Sequence, residues 1–99
     1  MRLTEFEQNS IKKHFKSFFP HAKLYVFGSR VDDTKKGGDI DLYIETKSDD
    51  YSYSKLLEFN VSIQKEIGEQ KIDIVVNKID KNVDKSIYTN AKNTGVLLG

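Results

Sequence analysis

Residues 24–45 read LYVFGSRVDDTKKGGDIDLYIE. An apolar run ends at Gly28-Ser29, nine residues follow (30–38), and a second apolar run opens with Asp39-Ile40-Asp41. Side chains of a β-strand alternate between its faces, so Asp39 and Asp41 share one face while Ile40, Leu42 and Ile44 share the other. The loop is short, which predicts an antiparallel hairpin with Ser29 near the Asp39 end. Two carboxylates on one face beside a glycine-serine turn point to a metal-and-phosphate site. Gly37-Gly38 permits backbone angles that other residues avoid; the loop also carries Asp32, Asp33, Lys35 and Lys36, of which the two lysines read as solvated charges.

Upstream, Thr4 and Glu7 have the spacing of a capping box and start a helix. Ile11, Phe15 and Phe18 recur at spacings of four and three, a core-facing stripe, with Lys12, Lys13 and Lys16 mostly on the solvated side. Pro20 ends that helix by disfavouring α geometry in Phe19. Lys23 to Phe27 is a short strand rich in β-formers.

Downstream, Ser48, Asp49 and Asp50 are candidate caps for a second helix whose stripe is Leu56, Phe59, Ile63 and Ile67, with Gly68 as its terminal cap. Lys71 to Asn77, KIDIVVN, is a third strand in which Ile72, Ile74 and Val76 alternate with Asp73, Val75 and Asn77. Asp73 stands out, because an unpaired carboxylate buried mid-strand is costly; it must reach solvent or bind a cation. Ser86 is a candidate cap for a short last helix carrying Ile87 and Ala91, closed by Asn93-Thr94-Gly95. Val96-Leu97-Leu98 is an apolar tail that covers the core or meets a partner.

The 99 residues fit one domain, 1–99, with no room for a second, substrate-binding one. Sixteen Lys and Arg against fifteen Asp and Glu leave a net charge of +1, so no overall field favours nucleic acid or anionic lipid. The absence of cysteine excludes disulfides and thiolate metal sites, and His14 and His21 lack zinc-motif spacing. No apolar run approaches the ~20 residues of a membrane span, and the N-terminus lacks a secretory core, so the expected location is the cytoplasm.

Gly28-Ser29, nine residues, Asp39-Ile40-Asp41, and later Asp73 between isoleucines on another strand form a pattern. It resembles the DNA polymerase β-like nucleotidyltransferase superfamily, specifically its minimal nucleotidyltransferase (MNT) proteins. The resemblance spans nearly the whole chain, including the closing IYTNAKNTGVLL, and the nine-residue loop sits at the short end of the family's range. It implies Mg²⁺ held by Asp39 and Asp41, a second ion completed by Asp73, and Asp73 helping to deprotonate or orient an acceptor hydroxyl. Gly28 would let phosphates approach the backbone and Ser29 would meet the β- and γ-phosphates. Arg30 would steady the same phosphates or pair with Asp32 or Asp33. Tyr43 and Glu45 continue the carboxylate face, Tyr43 as packing.

MNT proteins are commonly paired with a helical HEPN toxin and act as antitoxins by moving AMP from ATP to a tyrosine of that toxin. The resemblance therefore implies a Mg²⁺-dependent protein adenylyltransferase with a HEPN-type partner. Two other readings stay open: a catalytically silent module that neutralises its partner by contact, and the nucleotide-binding subunit of a split small-molecule transferase. The expected architecture is α/β (α+β), a mixed or antiparallel sheet of three to four strands with helices on one face.

Overall fold

The computed structural model describes residues 3–31 and 39–99. The expectations for Asp32, Asp33, Lys35, Lys36 and Gly37-Gly38 lie outside these residues.

Helix α1 spans Glu5–Phe18 and opens with the capping box: the Thr4 hydroxyl accepts from the Glu7 N–H at 3.0 Å, and Glu7 Oε1 accepts from the Thr4 N–H at 2.9 Å. It stops two residues before Pro20, as the proline requires. Strand β1 (Lys23–Phe27) turns through a 3₁₀ segment at Gly28–Arg30, and β2 (Ile40–Thr46) pairs with it antiparallel. Helix α2 (Tyr53–Ile67) then crosses back so that β3 (Ile72–Lys78) lies parallel to β2. Helix α3 (Ser86–Thr94) leads into β4 (Val96–Leu97), antiparallel to β1. The sheet order is β3-β2-β1-β4, a four-stranded mixed sheet.

Two capping expectations are corrected. Helix α2 is capped by Ser52, whose hydroxyl accepts from the Lys55 N–H at 3.2 Å. Residues Ser48–Asp50 instead form their own 3₁₀ turn, in which the Ser48 N–H and hydroxyl both donate to Asp80, at 2.8 and 2.5 Å. Ser86 is the first residue of α3 and Lys85 its cap, with no side-chain hydrogen bond. Gly68 closes α2 as expected, at φ 96°.

The alternation of the strands builds two layers. Leu24, Val26, Ile40, Leu42, Ile44 and Ile72 are buried with Ile11, Phe15, Phe59 and Ile63 of α1 and α2. At the centre of this layer Phe59 meets Phe15, Phe18 and Phe19 with ring centroids 5.9–6.5 Å apart. Burying each such ring fully stabilises the fold by about 1.5–3 kcal/mol. The alternate strand residues Tyr25, Phe27 and Tyr43 point the other way and pack against Ala91, Val75 and Tyr88. So α1 and α2 cover one face as expected, and α3 adds partial cover to the opposite face. The C-terminal tail serves the sheet: β4 pairs with β1, Leu98 packs on the main core, and the Leu98 N–H donates to the Leu24 carbonyl at 2.8 Å.

Candidate active site

Parallel pairing of β2 and β3 sets Ile40 beside Ile72 and Asp41 beside Asp73. Because both isoleucines are buried in the α1/α2 layer, the two aspartates project from the opposite face. Asp73 is exposed there and Asp41 half-buried, so neither charge is stranded in the core. Asp39 sits one residue before β2, half-buried. Antiparallel pairing with β1 puts Phe27 opposite Asp41, which carries the Gly28 turn to the same end of the sheet.

Gly28 is required twice over at this point. Its φ of 77° lies in the left-handed region that side chains disfavour. A methyl group added there would also overlap the Asp41 carboxylate. The backbone turn and the carboxylate are therefore in direct contact.

Burial first, then the charges of Asp73 and Asp39, push the Asp41 carboxyl above the ordinary carboxylate range, against an opposing pull from Lys71. The other three charges thus all act on Asp41. The Lys71 ammonium, on a well-exposed side chain, lies 3.5 Å from Oδ2 of the half-buried Asp39. Its backbone is held in place, since the Ile40 N–H donates to the Lys71 carbonyl at 3.1 Å. Lys71 is absent from the sequence-derived set, although its place two residues before Asp73 on an alternating strand was the available signal.

The structure brings the three aspartates to one end of one face without closing them into a cage. Among the described residues no three acidic or histidine side chains are gathered closely enough to hold an ion by themselves. Mg²⁺ is ordinarily held by one or two carboxylates, its other positions going to water and substrate phosphates. An open set of hard oxygen donors against a glycine turn fits that requirement.

Arg30 is placed at the end of the turn, where its Nη2 donates to Gln70 Oε1 at 3.1 Å, and Gln70 Nε2 in turn donates to Glu7 Oε2 at 2.7 Å. The guanidinium is thereby tied to the start of α1, through a glutamine the sequence reading passed over. Pairing of Arg30 with Asp32 or Asp33 lies outside the described residues. Ser29 occupies the middle of the same 3₁₀ turn.

Farther along the face, Tyr43 is buried, its ring against Tyr25 and Tyr88, which is the packing role expected. Its hydroxyl donates to Glu45 Oε2 at 2.9 Å and accepts from Asn77 Nδ2 at 3.1 Å. Burial pushes the Tyr43 phenol up to about 12. Glu45 is also paired with Lys92 at 3.5 Å, so it belongs to a structural network rather than to the Asp41 end.

A mixed sheet with acidic residues in register on neighbouring strands, beside a glycine turn, defines a nucleotidyltransferase-type α+β domain. The chain belongs to the family described as the nucleotidyltransferase domain, whose sequence model matches residues 9–98. Its class is accordingly that of a transferase acting on nucleotidyl groups. A comparison with curated proteins finds no match. No helix among the described residues is long and apolar enough to cross a membrane.

Proposed function

We propose that this chain is an MNT-type protein adenylyltransferase, transferring AMP from ATP to a hydroxyl of a HEPN-type helical partner as the antitoxin of a toxin pair. The carrying observation is Asp41 set beside Asp73 on parallel strands, with Asp39 two residues before Asp41 and the Gly28 turn against it. The finer assignment rests on the resemblance of the Gly28-Ser29, Asp39, Asp41 and Asp73 pattern to MNT proteins.

The chain's residues divide the work. Gly28 and Ser29 receive the β- and γ-phosphates, and Arg30, steadied by Gln70, adds positive charge at the end of the turn. Asp39 and Asp41 would hold Mg²⁺, and Asp73 would complete a second ion position. The chemistry such an ion would supply is neutralisation of charge on the attacking and leaving oxygens of an in-line displacement. The acceptor hydroxyl oxygen forms a bond to the α-phosphorus, the bond from that phosphorus to the bridging oxygen breaks, and pyrophosphate leaves. Asp73, exposed and at the sheet edge, orients the acceptor hydroxyl and takes its proton for release to water.

The test is transfer of label from α-³²P-ATP, with Mg²⁺, to the purified HEPN-type protein encoded beside this chain. Label should appear on the partner and disappear with Asp41→Asn and Asp73→Asn. A folded partner that stays unlabelled with the unaltered chain counts against the reading.

A second reading, left open by the same resemblance, is neutralisation of the partner by contact alone. It predicts that an Asp39→Ala, Asp41→Ala double variant still neutralises the partner in full. Under the adenylyltransferase reading that variant is inert.

A further inference from the structure

Two tripeptides run side by side in the parallel pair: Asp39-Ile40-Asp41 entering β2 and Lys71-Ile72-Asp73 entering β3. Their isoleucines are buried together, and their outer residues form a patch of three carboxylates and one ammonium. Lys71 is the position where this arrangement departs from a fourth acid. Its carbonyl is fixed by the Ile40 N–H, and its ammonium reaches Asp39, one of the two residues assigned above to Mg²⁺.

We infer that Lys71 is a tethered counter-cation of the carboxylate patch, a positioning residue that competes with a divalent ion for Asp39 until nucleotide arrives. The inference rests on the metal reading given under the proposed function and assigns a residue that reading does not include. In the nucleotide-free protein the ammonium offsets part of the acidic charge at Asp39 and lowers the attraction for a free ion. A bound triphosphate brings its own negative oxygens to the same end of the sheet, and the long, exposed Lys71 side chain swings from Asp39 to them. Asp39 is then released to the ion. Ion and nucleotide consequently bind with positive coupling, each raising the affinity for the other by the same factor.

The test measures Mn²⁺ binding to the purified chain by the loss of its free-ion electron paramagnetic resonance signal, with and without a non-hydrolysable ATP analogue. The proteins compared are the unaltered chain, Lys71→Met, Lys71→Arg, Asp41→Asn, and Lys16→Met as a control for net charge. Without nucleotide, Lys71→Met should bind Mn²⁺ about twofold to tenfold more tightly than the unaltered chain, the scale expected for removing one exposed charge beside a doubly charged ion. The enhancement of Mn²⁺ affinity by the analogue should shrink in Lys71→Met and persist in Lys71→Arg and Lys16→Met.

Unchanged or weaker Mn²⁺ binding by Lys71→Met, with binding by the unaltered chain abolished in Asp41→Asn, overturns the role of Lys71 and leaves the metal site standing. An equal gain in Lys16→Met also overturns it, because the effect would then be one of net charge. No Mn²⁺ binding by any of the proteins, with or without the analogue, overturns the metal reading and the role of Lys71 together.

Discussion

Replacing Asp41 by Asn should make the metal-free protein more stable. Among the described residues no hydrogen bond holds the Asp41 carboxylate; what acts on it is burial, the charges of Asp73 and Asp39, and the weaker pull of Lys71. The Cβ atoms of residues facing across neighbouring strands lie about 4.5–5.5 Å apart. At that distance two unit charges repel by about 0.8 kcal/mol in water-like surroundings and about 3 kcal/mol at an effective dielectric constant of 20. Partial exposure and Lys71 bring the net cost toward the lower figure, about 0.5–1.5 kcal/mol. Asn has the same shape and removes the charge. For a domain of this size 1 kcal/mol moves Tm by about 4–8 °C, so Asp41→Asn should melt about 2–12 °C higher at pH 7.5 in EDTA.

The pH dependence gives this prediction its sign. A carboxyl whose folded pKa lies above its unfolded value costs nothing below the unfolded value, and its full cost appears as pH rises through the folded value. The gain in Asp41→Asn should therefore be largest at neutral pH and vanish below about pH 3.5, where unfolded Asp is itself protonated. Millimolar Mg²⁺ should restore most of the same increment to the unaltered protein and leave Asp41→Asn little changed. Circular dichroism melts across pH, with EDTA or Mg²⁺, measure all of this. A lower Tm for Asp41→Asn at pH 7.5 in EDTA would refute the reasoning, since it would mean that the surroundings stabilise the ionised carboxylate.

Gly28→Ala places a methyl group against the Asp41 carboxylate in a left-handed backbone; the backbone strain alone costs about 1–2 kcal/mol, so a lower Tm and loss of nucleotidyl transfer are expected. Phe59→Ala removes the ring on which Phe15, Phe18 and Phe19 converge and should cost about 3–5 kcal/mol, read as an earlier midpoint in urea. Gln70→Ala cuts the link from Arg30 to Glu7 and should cost about 0.5–1 kcal/mol at neutral pH. Burial pushes Glu7 up, but hydrogen bonds from Gln70 and Thr4 outweigh it and hold the carboxyl below its usual range. Stability from Glu7 is thus present above the unfolded pKa and lost as pH falls through the folded one, so the deficit of Gln70→Ala should narrow on the acid side of about pH 4.

Much of this was legible because the signals are local. The Thr4–Glu7 box, the stop before Pro20, and the stripes of α1 and α2 depend on residues within a turn or two of one another. Strand alternation likewise sorts Ile40 from Asp41 and Ile72 from Asp73 without reference to any other element. Capping misled where a distant group intervened: Ser48 looks like a cap for α2, but Asp80, 32 residues away, takes both of its donors. Helix α3 was legible as a helix, whereas its place on the face opposite α1 and α2 follows from Tyr88 and Ala91 meeting Tyr43 and Tyr25.

The amino-acid order by itself determined which side chains share a face on each strand, where α1 starts and stops and where α2 ends, because those follow from backbone periodicity and short-range hydrogen bonds. Only the tertiary structure decided the register that sets Asp41 beside Asp73, brings Lys71 to Asp39, and ties Arg30 through Gln70 to α1. Register is a property of two strands at once, chosen by how the buried isoleucines pack beneath them, and no single stretch of chain contains it.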